Sequence, residues 1–184
     1  MGGFIARYAI IGLGKIGTAI AKSLIKSGVD PGSISGSVRR VESVNRVRRE
    51  LPGVFVSTNN AEVVKDADVV ILAVKPYQVL DALMPIRNIL GNEQLLISVV
   101  AGVTTGIIEE LVPSKVIRAM PNIGIVIERG VTAIAPGSRV SEDDVRRACN
   151  IFGSMGRCVV VNERLYGCHN SHQRLWPCLY GFDT

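Results

Sequence analysis

The sequence has few aromatic residues, few cysteines and no long uncharged segment. Aromatic residues make up 5% of the 184 residues while 47% are hydrophobic, so aliphatic residues must build the core, as in buried parallel strands and their covering helices. The longest uncharged segment, residues 94–108, is too short and too interrupted by glycine to span a bilayer. The net charge of +5 is modest, and no basic stripe with interleaved aromatic residues indicates a nucleic-acid partner.

The four cysteines do not indicate disulfide bonds in a chain without extracellular features. We expect Cys149, in a predicted helix, and Cys158, in a predicted strand, to be inert core residues. Arg7 and the apolar residues after it could pass for a secretory signal, but a glycine-rich turn interrupts them, so a strand is favoured. The expected location is therefore cytoplasmic.

A glycine-rich turn directly follows the first apolar segment. Residues 8–11 lead into Gly12-Leu13-Gly14-Lys15-Ile16-Gly17, and apolar residues then recur at helical spacing. Strand, turn and helix form the context in which G-x-G-x-x-G indicates a dinucleotide site. In that motif Gly12 permits the tight turn, Gly14 lets the backbone approach a pyrophosphate, and Gly17 lets the helix pack against the strand. The helix N-terminus then attracts the phosphates.

The end of the second predicted strand carries basic residues where many dinucleotide sites carry a carboxylate. Residues 33–38 are predicted to form this strand, which continues into Arg39 and Arg40. NAD-binding proteins usually place an acidic residue about 20 positions after the glycine turn, on the ribose hydroxyls. A carboxylate would repel a 2′-phosphate, whereas Ser37, Arg39 and Arg40 would bind one. The sequence therefore predicts NADP(H) rather than NAD.

Strand and helix patterns alternate along most of the chain. The predicted strands cover residues 4–11, 33–38, 54–57, 68–74, 95–100, 115–119, 130–135 and 157–161. The predicted helices cover residues 17–27, 41–51, 61–66, 76–90, 105–111 and 141–152. This alternation predicts an α/β fold, a Rossmann-like doubly wound, mostly parallel sheet with helices on both faces. We expect an NADP-binding domain over residues 1–164 and an unpatterned tail over residues 165–184.

Three short segments follow predicted strands four, five and six, where open α/β sheets bind ligands. They are Ala73-Val74-Lys75-Pro76, residues 98–103, and Arg118-Ala119-Met120-Pro121-Asn122. Each also fits a purely structural role: Pro76 can begin a helix, Gly102 can turn the chain, and Met120 can fill the core. Because all three converge on one edge of the sheet, a functional role is favoured.

Together these segments resemble the pyrroline-5-carboxylate reductase family, which makes proline. The resemblance covers residues 7 to about 165. It rests on the glycine turn, on Asn60 before the fourth strand, and on the patterns A-V-K-P, S-x-x-A-G and R-x-M-P-N. One departure is that the family commonly follows the last Asn with Thr-Pro, whereas Ile123 and Gly124 stand here.

The resemblance implies that NADPH lies across the strand ends and delivers a hydride to the C=N carbon of 1-pyrroline-5-carboxylate, giving L-proline. The residues implied to contact the cofactor are Gly12, Leu13, Gly14, Lys15, Ile16, Ser37, Arg39, Arg40, Asn60, Ala73, Val74, Lys75, Pro76 and Ala101. Met120 and Asn122 would border the substrate. A protonated cyclic iminium is already electrophilic, so no catalytic acid is assigned. Lys75 is the nearest titratable group, but a solvated amine is its simpler interpretation.

The tail gathers Trp176 with two cysteines and both histidines. The spacing of Cys168, His169, His172 and Cys178 matches no common zinc pattern, so no metal is expected. Codons can be chosen for residues 167–179 that, when read one nucleotide later, encode D-A-I-T-A-I-S-G-S-G-P-A-Y. This is close to D-A-V-T-A-L-S-G-S-G-P-A-Y, the sequence with which the family continues at this point. We therefore predict a frameshifted start of the family's helical dimerisation domain.

That domain implies that full-length relatives are homo-oligomers. Without it, we expect this chain to bind the cofactor but neither to dimerise nor to turn over substrate. Two other functions stay open: another NADP-dependent imine or β-hydroxyacid reductase, and an NADP-binding module without catalysis.

Overall fold

The computed structural model describes residues 6–122 and 130–164. Within these residues eight strands form one sheet: β1 (Tyr8–Ile11), β2 (Ile34–Ser37), β3 (Phe55–Ser57), β4 (Val69–Leu72), β5 (Leu95–Ser98), β6 (Lys115–Pro121), β7 (Gly130–Pro136) and β8 (Gly156–Val160). The strand order is β3-β2-β1-β4-β5-β6-β7-β8. Every neighbouring pair is parallel except β6 and β7, which are antiparallel. The predicted mostly parallel sheet is confirmed.

The helices of the described residues follow the strands in alternation. They are α1 (Lys15–Lys26), α2 (Val41–Glu50), α3 (Asn60–Val64), α4 (Val79–Leu83), α5 (Thr105–Leu111) and α6 (Glu142–Gly153). The prediction of one helix over residues 76–90 is wrong: a 3₁₀ turn at Pro76–Gln78 leads into the short α4, and turns follow. Pro85 explains the early end, because it lacks an N–H to donate to the preceding turn and its ring clashes there.

Alternate residues of the central strands point to opposite faces of the sheet. Ile10, Ile71 and Ile97 belong to one buried cluster, into which α1, α2 and α6 pack. Ala9 and Leu96 belong to a second cluster, beneath α3, α4 and α5. The prediction of helices on both faces is thus confirmed.

The strand order reverses between β1 and β4, and this reversal positions the site. Ile11 pairs with Ser37 on one side and with Leu72 on the other. The carboxyl ends of β1, β2 and β4 therefore lie side by side, with the turns after them at one edge. A doubly wound sheet has its ligand crevice at such a switch point. No helix of the described residues is long and apolar enough to cross a membrane.

Candidate cofactor site

The turn after β1 is built from three glycines with different surroundings. Gly12 has φ of +98°, and a Cβ there would lie 2.7 Å from the carbonyl oxygen of Ala73. A Cβ on Gly17 would clash with the carbonyl oxygen of Gly12 and would lie 3.1 Å from Ile10 Cγ2. A Cβ on Gly14 would meet no heavy atom within 4 Å. Gly12 and Gly17 are therefore needed for the fold, whereas Gly14 keeps a space open beside the turn.

Backbone hydrogen bonds join this turn to the end of β2. The amides of Gly12 and Leu13 donate to the carbonyl oxygen of Ser37, at 3.2 and 2.7 Å. Gly14 begins α1 without a side-chain cap, and the first turn of α1 carries no acidic residue. Such a helix N-terminus attracts an anion through its amides and its dipole. The glycine turn and the β2 end are thus held as one unit.

The β2 end supplies the positive charge of the site. Ser37 is buried, while Arg39 and Arg40 are exposed beside it. Ser43 and Arg46, on the first turns of α2, line the same cleft. Arg46 lies 3.8 Å from Glu50, so one carboxylate partly offsets its charge. Three arginines and two serines can therefore face an anionic group here.

A cleft of about 1140 Å³ lies over these strand ends. It exceeds the 300–1,000 Å³ typical of drug-sized ligand pockets, as an extended dinucleotide requires. The predicted residues that line it are Gly12, Leu13, Gly14, Lys15, Ile16, Ser37, Arg39, Arg40, Asn60, Ala73, Val74, Lys75 and Asn122.

Three predicted contact residues do not line the cleft. Pro76 is exposed at the start of the 3₁₀ turn, and Ala101 is exposed after β5. Met120 is half-buried and packs against the small cluster of Ala133 and Ala135. The roles assigned to these three residues stay predictions.

Several lining residues lie outside the predicted set: Ile11, Val38, Ser43, Arg46, Thr58, Tyr77, Gln78, Asp81, Ala82 and Pro121. Tyr77 and Gln78 were missed because the sequence places them in a long helix, whereas the 3₁₀ turn points them to the cleft. The Lys75 amide donates to Gln78 Oε1 at 3.1 Å, which fixes this turn. The Asn60 side chain donates to the Ala82 carbonyl oxygen at 3.2 Å, which ties α3 to α4 at the cleft wall.

The arginine of the R-x-M-P-N segment belongs to a separate buried network. Arg118 is 6% exposed, and its Nη1 lies 3.5 Å from Glu163 Oε1. Glu163 also accepts from the Thr105 amide at 2.8 Å and from the Thr105 hydroxyl at 2.5 Å. The network joins β6, the start of α5 and the segment after β8, so Arg118 organises the strand ends without lining the cleft.

The predicted tail, with its cysteines and histidines, lies outside the described residues. Within the described ranges, no group of three or more His, Cys, Asp and Glu side chains could hold a metal ion.

The fold agrees with comparisons to known proteins. A family model described as "NADP oxidoreductase coenzyme F420-dependent" matches residues 7–102. This match covers just over half of the chain, which therefore belongs to that family of NADP oxidoreductases. The predicted cofactor class agrees with this membership.

Pyrroline-5-carboxylate reductases are prominent among its relatives. The enzyme of Methanosarcina acetivorans is 36% identical over 162 residues, covering 86% of this chain and 60% of the relative. The Escherichia coli enzyme is 32% identical over 160 residues, covering 85% and 59%. The solved pyrroline-5-carboxylate reductase of Coxiella burnetii superposes with a TM-score of 0.84 at 28% identity, covering 96% and 68%. The resemblance deduced from the motifs is confirmed, and the chain spans about 60% of the length of these curated relatives.

Proposed function

We propose that this chain binds NADPH in the cleft and that the reaction it serves is the reduction of 1-pyrroline-5-carboxylate to L-proline. The main observation in support is that one cleft contains both an open glycine turn and the basic end of β2. The proposal includes an NADP-binding domain over residues 1–164 and homo-oligomeric full-length relatives, which rest on the resemblance. It also includes a cytoplasmic location, which rests on the sequence features given above.

The cleft residues fit the pyrophosphate and the 2′-phosphate of NADPH. The pyrophosphate would lie on residues 12–16, where the absence of a side chain at Gly14 leaves room for close approach. The 2′-phosphate would lie against Ser37, Arg39 and Arg40, and Arg46 adds a further cation at the same end. Charge-assisted hydrogen bonds of this kind are about twice as strong as neutral ones. Asn60 would border the adenosine part.

The opposite end of the cleft would hold the nicotinamide and the substrate. Val74 and Lys75 line it from the turn after β4, and Asn122 lines it from the end of β6. When bound, the cofactor supplies the hydride, and the protein positions the reactants. The substrate iminium needs no protein nucleophile, so these residues act by orienting it and excluding water. Ala101 and Met120 do not line the cleft in this structure. We keep the proposal that Ala101 lies beside the nicotinamide and Met120 beside the substrate.

The experiment follows binding and hydride transfer in one sample. NADPH fluorescence is titrated with the chain, and then NADPH carrying deuterium at its transferable position is incubated with 1-pyrroline-5-carboxylate. Mass spectrometry of the product detects even a slow single turnover. We expect saturable NADPH binding and negligible turnover, and any proline that forms should carry one deuterium. No NADPH binding would refute the proposal. If a keto acid is offered in a parallel incubation, deuterium transfer to the keto acid but not to the imine would favour a β-hydroxyacid reductase.

The matched variants are Arg39→Ala and Arg49→Ala. Both remove one exposed arginine, but only Arg39 lines the cleft. A loss of NADPH binding in the first variant alone would assign the effect to the site, because net charge changes equally in both.

A further inference from the structure

Two cysteines on adjoining elements bring their sulfur atoms together away from the cleft. Cys158 Sγ lies 2.8 Å from Cys149 Sγ. Both side chains are half-buried and pack against the cluster beneath α1, α2 and α6. The expectation that they are inert core residues is therefore incomplete: they do pack on the core, but as a contacting pair.

The surrounding backbone holds this pair in place. Cys149 lies in α6, Cys158 lies in β8, and only two residues separate the elements. Cys158 is in register with Thr132 of β7 within the sheet. Gly156, at the start of β8, has φ of +141°, and a Cβ there would clash with the Gly130 backbone. The connection is thus tightly packed, and it holds the two sulfurs close together.

We propose that Cys149 and Cys158 form a reversible disulfide, a redox modification site that joins α6 to β8. The oxidant is a small disulfide such as oxidised glutathione. No residue of the pair lines the cleft, so this site is independent of the proposed cofactor binding.

The exchange proceeds in two steps. Cys149 loses its proton to solvent, and its thiolate attacks one sulfur of oxidised glutathione, which breaks the glutathione S–S bond and releases one glutathione thiolate. That thiolate takes the proton of Cys158. The Cys158 thiolate then attacks the Cys149 sulfur and displaces the second glutathione. Two protein thiols are oxidised, and one glutathione disulfide is reduced to two thiols.

The order of the two steps follows from the environment of Cys158. Burial raises the pKa of the Cys158 thiol to about 12, and the hydrogen bond and charge of Cys149 add to the increase. Because Cys158 gives up its proton less readily than an ordinary thiol, we assign the first attack to Cys149. Cys158 acts second, once the Cys149 sulfur, which lies 2.8 Å from the Cys158 sulfur in the reduced pair, carries glutathione as a leaving group.

Trypsin places the four cysteines of the chain in four different peptides. Cleavage after Arg147, Arg157, Arg164 and Arg174 gives residues 148–157, 158–164, 165–174 and 175–184. The full chain is incubated with oxidised glutathione, remaining thiols are alkylated in urea, and the digest is analysed by mass spectrometry. We expect the alkylated peptides 148–157 and 158–164 to disappear together and a peptide joining them to appear. Dithiothreitol should restore both thiols.

A double variant, Cys168→Ser with Cys178→Ser, serves as the matched control and should form the same linked peptide. Cys149→Ser should abolish it. The proposal is overturned if both thiols of the pair remain alkylated after oxidation, if a glutathione adduct at Cys149 persists without closure, or if either cysteine pairs mainly with Cys168 or Cys178.

Discussion

Two glycines of the turn after β1, Gly17 and Gly14, lead to opposite predictions for the same substitution by alanine. At Gly17 an added methyl group would clash with the carbonyl oxygen of Gly12 and would approach the carbonyl carbon and Ile10 Cγ2 to 3.1 Å. Most of these atoms are backbone, which cannot rotate away. Overpacking of this kind costs about 1–3 kcal/mol, and we expect Gly17→Ala to lie at the upper end. The melting temperature should fall by roughly 4–12 °C in a chain of this size.

At Gly14 the same methyl group is tolerated by the protein. The backbone there has φ of −84°, which alanine adopts readily, and no heavy atom lies within 4 Å. Alanine caps a helix less well than glycine, which costs roughly 0.5–1 kcal/mol. The methyl group would, however, fill the space where the pyrophosphate approaches the backbone. We expect NADPH affinity to fall about tenfold or more, or roughly 1.4 kcal/mol.

The assay combines thermal unfolding followed by circular dichroism with a fluorescence titration of NADPH. Gly106→Ala is the control, because this residue lies inside α5, away from the cleft, and an added Cβ meets nothing within 4 Å. Because Gly106 is the second residue of α5, where propensity matters less than in a helix interior, the substitution should stabilise the chain by at most about 0.5–1 kcal/mol and leave NADPH binding unchanged. Wild-type affinity in Gly14→Ala would refute the pyrophosphate assignment. An unchanged melting temperature in Gly17→Ala would refute the packing argument.

Three further predictions concern the rest of the chain. Burial raises the pKa of the Asp144 carboxyl, but hydrogen bonds from Ser141 and the charge of Lys115 outweigh it and hold that pKa below its usual value. The resulting stabilisation is present above a pH of about 4 and is lost as the pH falls further, so Asp144→Asn should lower the melting temperature at pH 7 by an amount that shrinks in acid. Glu163→Ala leaves the Thr105 amide and the Arg118 guanidinium without this carboxylate and should lower the free energy of unfolding by about 1–3 kcal/mol. Glu142→Ala, which removes an exposed carboxylate, is the control. Equal melting temperatures for the two variants would contradict the network. The DNA encoding residues 166–180 should spell the family motif in the neighbouring frame; codons that do not would disprove the predicted frameshift.

The fold was predictable wherever its signals are local. Apolar segments, glycine turns and helical spacing each occupy neighbouring positions, so strand and helix order could be read from the sequence. The direction of β7 could not, because an apolar strand has the same pattern whether it pairs parallel or antiparallel. The end of α4 depended on Pro85, whose effect the longer helical pattern obscured.

The residues of the candidate site were likewise predictable only where their signals are local in the sequence. The glycine turn and the β2 end were found because each is one continuous segment after a strand. Arg46 and Tyr77 were missed because only the packing of α2 and of the 3₁₀ turn brings them to the cleft. The contact between Cys149 and Cys158 likewise depends on how α6 lies against β8.

The most direct test of the central claim compares NADPH and NADH binding to the same sample of the chain. Charge-assisted hydrogen bonds to the 2′-phosphate are worth about 1.5–3 kcal/mol, or roughly one to two decades in affinity. We predict that NADPH binds more tightly by that factor, that Arg39→Ala removes most of the preference, and that Arg49→Ala keeps it. Equal affinities for NADPH and NADH in the unmodified chain would contradict the assignment of the basic β2 end as the 2′-phosphate site.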